Sequence, residues 1–151
     1  MFGASEAISG PTTKSEAGVI SLWVKVAYTV FLCVLIPAYV IRYGFANFLW
    51  FSDIALLTAA VALWLESRLL ASMMAVAVLL PEAVWNVSFF GRLLTGVRIT
   101  GLADYMFDPK KSLFIRGLSL FHVILPPLLV WMVARLGYDP RAPIAQTLLA
   151  A

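Results

Sequence analysis

The chain has 151 residues, of which 62% are hydrophobic and 13% charged, and its mean hydropathy is +0.94. Soluble domains carry about 25% charged residues, so the chain has roughly half the charge of a water-soluble globule, and the net charge of +3 gives no basic footprint for nucleic acid. A lone cysteine, Cys33, excludes an intrachain disulfide framework.

Residues 1–18 are polar and rich in Gly, Ser and Thr, without the basic stretch and adjoining apolar core of a secretory signal. They read as a flexible tail. The remaining charges are spaced so that long windows run nearly free of them, and such windows predict spanning helices of ~20 residues. In lipid every backbone polar group needs an internal partner, which makes these segments helical. Runs such as Leu69-Leu70-Ala71-Ser72-Met73-Met74 lack the period-2 alternation of a barrel strand.

The fold class expected is therefore all-α, an integral membrane bundle of about four transmembrane helices over residues 19–136. The spans are placed at 19–41, 45–65, 69–90 and 113–136. Connections at 42–44 and 66–68 are tight and make the first three helices antiparallel neighbours. The side carrying the first-to-second and third-to-fourth connections is here the rim face, the other the tail face. Tyr39, Tyr43, Trp50 and Trp85 fall toward the rim face, and Trp23, Trp64 and Tyr138 toward the tail face, as interfacial aromatic belts would.

The long connection, 91–112, alternates Arg92, Arg98, Lys110 and Lys111 with apolar residues and is broken by Gly96, Gly101 and Pro109. It reads as an interfacial amphipathic or re-entrant piece. Arg42, Arg92, Arg98, Lys110, Lys111 and Arg116 lie on the rim face, and Lys14, Lys25, Arg68, Arg135 and Arg141 on the tail face, so positive charge does not select an orientation. Residues 137–151 read as a C-terminal tail or the start of a further helix, too short to span.

Two carboxylates, Asp53 and Glu82, fall inside the predicted spans. Intramembrane ionisable groups cost at least ~2.5 kcal/mol each and tend to mark functional sites. At a rise of ~1.5 Å per residue, Asp53, Glu82, the single histidine His122 and Cys33 all lie ~12 Å below the rim face. Asn86 is one turn from Glu82, and Ser52 adjoins Asp53.

An imidazole suits proton transfer near neutral pH, which makes His122 a candidate general base. Ser52 or Cys33 is a candidate nucleophile, with Asp53 or Glu82 as the orienting carboxylate. Pro81 and Pro126-Pro127 free backbone groups beside the cluster. Asn86 and the rim arginines Arg42, Arg92 and Arg116 are candidates to hold a substrate headgroup. The same polar groups would also serve as hydrogen bonds joining the bundle. Neither a cofactor-binding motif nor metal-ligand spacing occurs, so no cofactor and no metal are expected.

The segments Phe48-Leu49-Trp50-Phe51-Ser52-Asp53-Ile54-Ala55-Leu56-Leu57 and Leu118-Ser119-Leu120-Phe121-His122 resemble those of uncharacterised bacterial polytopic membrane proteins. More distantly they are similar to YwaF-like integral membrane proteins and the related membrane acyltransferases and ADTRP-type hydrolases. Those carry His-Leu-Cys-Asp-Ile-Ala on one helix and Ser-His on a later one. Trp50 stands at the first His, Ser52 at the Cys, Asp53 at the Asp and His122 at the later His, with Phe121 in place of the Ser.

The resemblance implies a membrane-embedded hydrolase or acyltransferase acting on lipid esters, in a bacterial inner membrane, with Ser52 as nucleophile and His122 as base. Membrane lipids are the expected partners. The residues leave two alternatives open: a non-catalytic helical subunit or assembly factor of a larger membrane complex, and a proton or small-solute pathway through Asp53, Glu82 and His122.

Overall fold

A computed structural model describes residues 18–151. The polar tail expected at 1–18 lies, apart from Gly18, outside the described residues, as does Lys14. Among the described residues the secondary structure is all helical: α1 (Leu22–Tyr43), α2 (Phe51–Leu65), α3 (Arg68–Thr95), α4 (Leu113–Leu118), α5 (Phe121–Leu136) and α6 (Ala142–Ala150). Leu22–Tyr43, Arg68–Thr95 and the run Leu113–Leu136 are long and apolar enough to cross a membrane, and Phe51–Leu65 is a shorter apolar helix.

The helix α3 is the centre of the bundle. It packs most extensively against α5, then against α2 and α6, while α1 leans on α2. Ala55, Ala59 and Ala62 on α2 and Ala71, Ala75 and Val78 on α3 follow the same i, i+4, i+7 spacing and are all buried. Small side chains at that spacing let two backbones approach closely, which is how helices associate where lipid is as apolar as the core.

Helix limits follow local chemistry. Ser67 caps α3 by accepting from the Leu70 N–H at 3.3 Å, and Ser112 caps α4 through the Ile115 N–H at 3.3 Å. Gly96 ends α3 with φ +73°, a left-handed conformation that glycine adopts freely. Glu66 ends α2 in the same region, φ +50°, without that freedom. A strained residue of this kind costs ~1–3 kcal/mol and persists only where its surroundings hold it. Here they do. Its carboxylate accepts from the Val19 and Ile20 N–H groups and from Lys25 Nζ, at 2.9, 3.1 and 2.8 Å.

Three expectations need correction. The second helix starts at Phe51, not 45, because Phe45–Leu49 forms a separate 3₁₀ turn. Asp53 is therefore in the first turn of α2 rather than two turns inside it. The third helix continues to Thr95, so the long connection begins at Gly96. The fourth span is interrupted at Ser119 and Leu120, placing His122 in the first turn of α5. The last residues do form a helix, α6, which lies against α3.

Candidate functional site

The site is organised by one face of α3. Glu82, Trp85 and Asn86 fall at i, i+3 and i+4 and so project together. All three engage His122. Its Nδ1 lies 3.0 and 2.9 Å from the two oxygens of Glu82, a residue only 1% exposed. The imidazole stacks on Trp85, with ring centroids 4.6 Å apart, and on Phe121 at 4.0 Å.

Asn86 completes the arrangement through a proline. Pro126 has no N–H, so the His122 carbonyl loses the helical donor four residues ahead. The Asn86 amide supplies one instead at 2.7 Å, and also donates to the Glu82 carbonyl at 2.8 Å. The helix break and the two prolines thus leave the His122 backbone pinned to α3 and its ring clamped between two aromatics. An imidazole that donates from Nδ1 to a carboxylate presents the lone pair of Nε2 to the other side. No side chain among the described residues hydrogen-bonds Nε2.

His122 lines a cavity of 530 Å³, bounded by α1, the 3₁₀ turn, the start of α2, α3, the long connection and the start of α5. Its size is in the range of small-molecule sites. Trp50 and Phe51, which line it, are 71% and 54% exposed. The mouth is therefore apolar and faces outward from the bundle. Asp53 lines it as well. Its Oδ2 accepts from Asn47 Nδ2 at 3.3 Å, while Oδ1 is buried without a partner among the described residues. The Trp85 Nε1–H is likewise buried and unpartnered. Native proteins leave few such atoms, and both belong to residues that line the cavity.

The long connection roofs the cavity rather than lying free in the interface. Ala103 and Met106 pack on Trp85, and Leu102 and Tyr105 face the cavity. Burial raises the Tyr105 hydroxyl above the usual phenol range. Asp104 holds the roof in place by pairing with Arg92 at 2.6 Å and with Arg98.

The residues singled out from sequence divide accordingly. Ser52, Asp53 and His122 line one cavity, and Glu82 and Asn86 support His122 from behind. The Ser52–His122 hydrogen bond expected of a nucleophile and its base is not made. Ser52 stands half-buried in the first turn of α2 and makes no hydrogen bond to Nε2, the His122 nitrogen that Glu82 leaves free. Cys33, the other nucleophile candidate, is exposed on α1 and is not part of the cavity.

None of the three arginines expected to hold a headgroup lines the cavity. Arg42 is exposed, Arg92 is bound to Asp104, and Arg116 donates to the Met106 carbonyl at 3.0 Å. The cation that does line it is Lys111, whose ammonium donates to the Tyr43 hydroxyl at 3.2 Å. Trp85 and Tyr39, assigned to an interfacial belt, are buried in the site instead.

Sequence reasoning also passed over Ser119. Its Oγ donates to the Ile115 carbonyl at 3.1 Å and accepts from the Tyr39 hydroxyl at 2.7 Å. With its proton committed to a backbone carbonyl, Ser119 is a structural link between α1 and the break before α5. No protein-family model, curated protein or solved structure matches this chain.

Proposed function

We propose that this chain is a membrane-embedded enzyme of acyl transfer, a hydrolase or acyltransferase acting on lipid esters, with His122 as the general base. The observation that carries this reading is the oriented imidazole. Nδ1 is held by a fully buried carboxylate, the ring stacks on two aromatics, Nε2 has no partner among the described residues, and His122 lines a 530 Å³ cavity beside the exposed Trp50 and Phe51. Geometry of this kind makes a base, because orientation and tautomer are set before substrate arrives.

In the reaction Nε2 takes the proton from the attacking hydroxyl, of water or of an acceptor alcohol, as that oxygen bonds to the ester carbonyl carbon. The imidazolium so formed is stabilised by Glu82 and returns the proton to the departing alkoxide as the original ester C–O bond breaks. Glu82 is a positioning residue, since it acts only through His122. The exposed Trp50 and Phe51 at the mouth suit a substrate that arrives from lipid. A proton or small-solute pathway would use the same three ionisable residues, and it is favoured only by the buried, unpartnered oxygen of Asp53.

The test is hydrolysis of a p-nitrophenyl fatty ester by the detergent-purified chain and by His122→Ala, with folding checked by circular dichroism. General-base catalysis contributes about 10²–10⁴-fold, so the variant should lose at least ~100-fold in rate. A folded variant within twofold of the parent would eliminate the enzyme reading. Proton flux into vesicles that needs Asp53 would then replace it.

A further inference from the structure

The cavity has a charged end, an apolar groove shares Phe121 with it, and together they suggest a ligand. Lys111 is the only cation among the lining residues. Lys25, Arg68, Arg92, Arg98 and Arg141 are paired with carboxylates, whereas Lys111 meets only the hydroxyl and ring face of Tyr43, the latter 4.8 Å from its ammonium. A half-buried ammonium with no carboxylate partner among the described residues, facing a cavity, is a receptor for an anion.

Beside Phe121 a second, apolar groove of 320 Å³ runs along α1 and α5 toward the tail face. Phe121 lines both it and the cavity. The one polar side chain along the groove, apart from the Trp23 indole, is Tyr28, whose hydroxyl is turned away to the Leu56 carbonyl at 2.8 Å. From Phe31 to Trp23 the groove follows eight residues of α1, a length of ~12 Å.

In order along the bundle these are a cation, an oriented base and an apolar trough. We propose that the site takes a single-chain amphiphile with an anionic head. The head lies against Lys111 and Tyr43, its middle passes His122, and its chain lies past Phe121 in the groove. The inference rests on the acyl-transfer reading for what happens at His122, but not for the binding itself. Asp53 repels an anion that moves deeper and keeps the head on the Lys111 side of the cavity. The head can be a phosphate monoester, as in a lysolipid, or the carboxylate of a free fatty acid, because both offer the same anionic oxygens to an ammonium.

Binding is read with ligands that carry no carboxylic ester, so that acyl transfer plays no part. Octadecyl phosphate, octadecanoate and octadecanol, each with a terminal bromine and long enough to reach from Tyr43 toward Trp23, are titrated into the full chain in neutral detergent, and quenching of tryptophan fluorescence is followed. At least one anion should bind about tenfold more tightly than the alcohol, the increment of one charge-assisted hydrogen bond. Lys111→Gln should abolish that preference without weakening the alcohol, and Lys111→Arg should keep it. Phosphate favoured over carboxylate would identify a lysolipid head, and the reverse a fatty acid.

Ala27→Trp, which fills the exposed wall of the groove, should weaken all three ligands. Trp23→Phe should remove most of the quenching, because the chain end reaches that residue. Equal affinity for anion and alcohol, or an anion preference that survives Lys111→Gln, overturns the head site. Binding unchanged by Ala27→Trp overturns the chain site. Tight anion binding alongside a His122→Ala variant of undiminished rate would retain this site while removing the acyl-transfer reading.

Discussion

Carboxylates sit at both ends of this bundle, and the two ends use them differently. On the tail face Glu66 accepts three hydrogen bonds, from two backbone N–H groups and Lys25. Asp139, 1% exposed, takes Nε and Nη2 of Arg141 at 3.0 and 2.9 Å and the Arg141 N–H at 3.0 Å, with Arg68 at 3.5 Å. Its own N–H donates to Ser72 of α3 at 3.0 Å. Every oxygen is occupied, and each carboxylate ties a chain segment to the start of α3.

Around the cavity the accounting is incomplete. Asp53 has one long hydrogen bond and a free oxygen, and both oxygens of Glu82 converge on a single nitrogen whose ring keeps its other nitrogen open. A fully partnered carboxylate holds structure. One whose oxygens are not all engaged leaves hydrogen-bonding capacity unused beside the cavity.

The sharpest way to break this contrast is to neutralise one carboxylate from each end. On the proposed acyl-transfer reading, Glu82→Gln keeps shape but removes the charge that would orient and stabilise the imidazolium. Support of this kind is worth about 10–100-fold, so kcat on the fatty ester should fall by up to ~100-fold with KM nearly unchanged. Asp139→Asn should do the reverse, lowering Tm while the rate per folded molecule stays at the parent value. A Glu82→Gln enzyme with unchanged kcat and a lowered Tm would make Glu82 another staple and erase the distinction.

How much of this was legible beforehand depends on the range of the interaction involved. Asp53, Glu82 and His122 stood out because an ionisable residue in an apolar span has no innocent local explanation. The freed carbonyl at His122 followed from Pro126 alone, although its partner Asn86 did not. The start of α2 was misread because Phe45–Leu49 is as apolar as the helix that follows, and hydropathy does not separate a 3₁₀ turn from an α-helical one.

The rim cations were legible as charges but not as roles. Arg92 and Lys111 look alike in sequence, and only the position of Asp104 makes one a strut and the other a cavity wall. The tail-face carboxylates drew no notice at all, since Glu66 and Asp139 lie in polar turns where charge is ordinary.

Acid should separate the two ends next. The hydrogen bond from Lys25, then those from the Ile20 and Val19 N–H groups, lower Glu66 from its ordinary 4.5 to about 2. The Arg141 side chain, then its N–H, lower Asp139 from 3.8 to about 2. A carboxylate depressed by folding contributes stability that is complete above its unfolded value and is lost as pH falls through the folded one. Thermal unfolding in detergent should therefore give a Tm that is level above pH ~5 and declines from pH ~4 to ~2. Asp139→Asn should start lower and decline less across that window. A variant that declines as steeply as the parent would show that the tail-face pairs do not carry the acid sensitivity.

The smallest expected effect decides the nucleophile. Ser52 lines the cavity, yet it forms no hydrogen bond with His122, whose Nδ1 belongs to Glu82. If attack comes from water or an acceptor alcohol activated at Nε2, the Ser52 hydroxyl contributes only local polarity. Ser52→Ala should then leave Tm unchanged and hydrolysis within about twofold, because no buried partner is left unsatisfied. A covalent mechanism predicts otherwise. Loss of an attacking hydroxyl removes the intermediate itself, and the rate would fall at least as far as it does in His122→Ala. A fall of that size, together with fluorophosphonate labelling of the parent that Ser52→Ala abolishes, would mean that Ser52 closes on Nε2 when substrate fills the cavity. The open valences of this end would then belong to a nucleophile and its base rather than to a base alone.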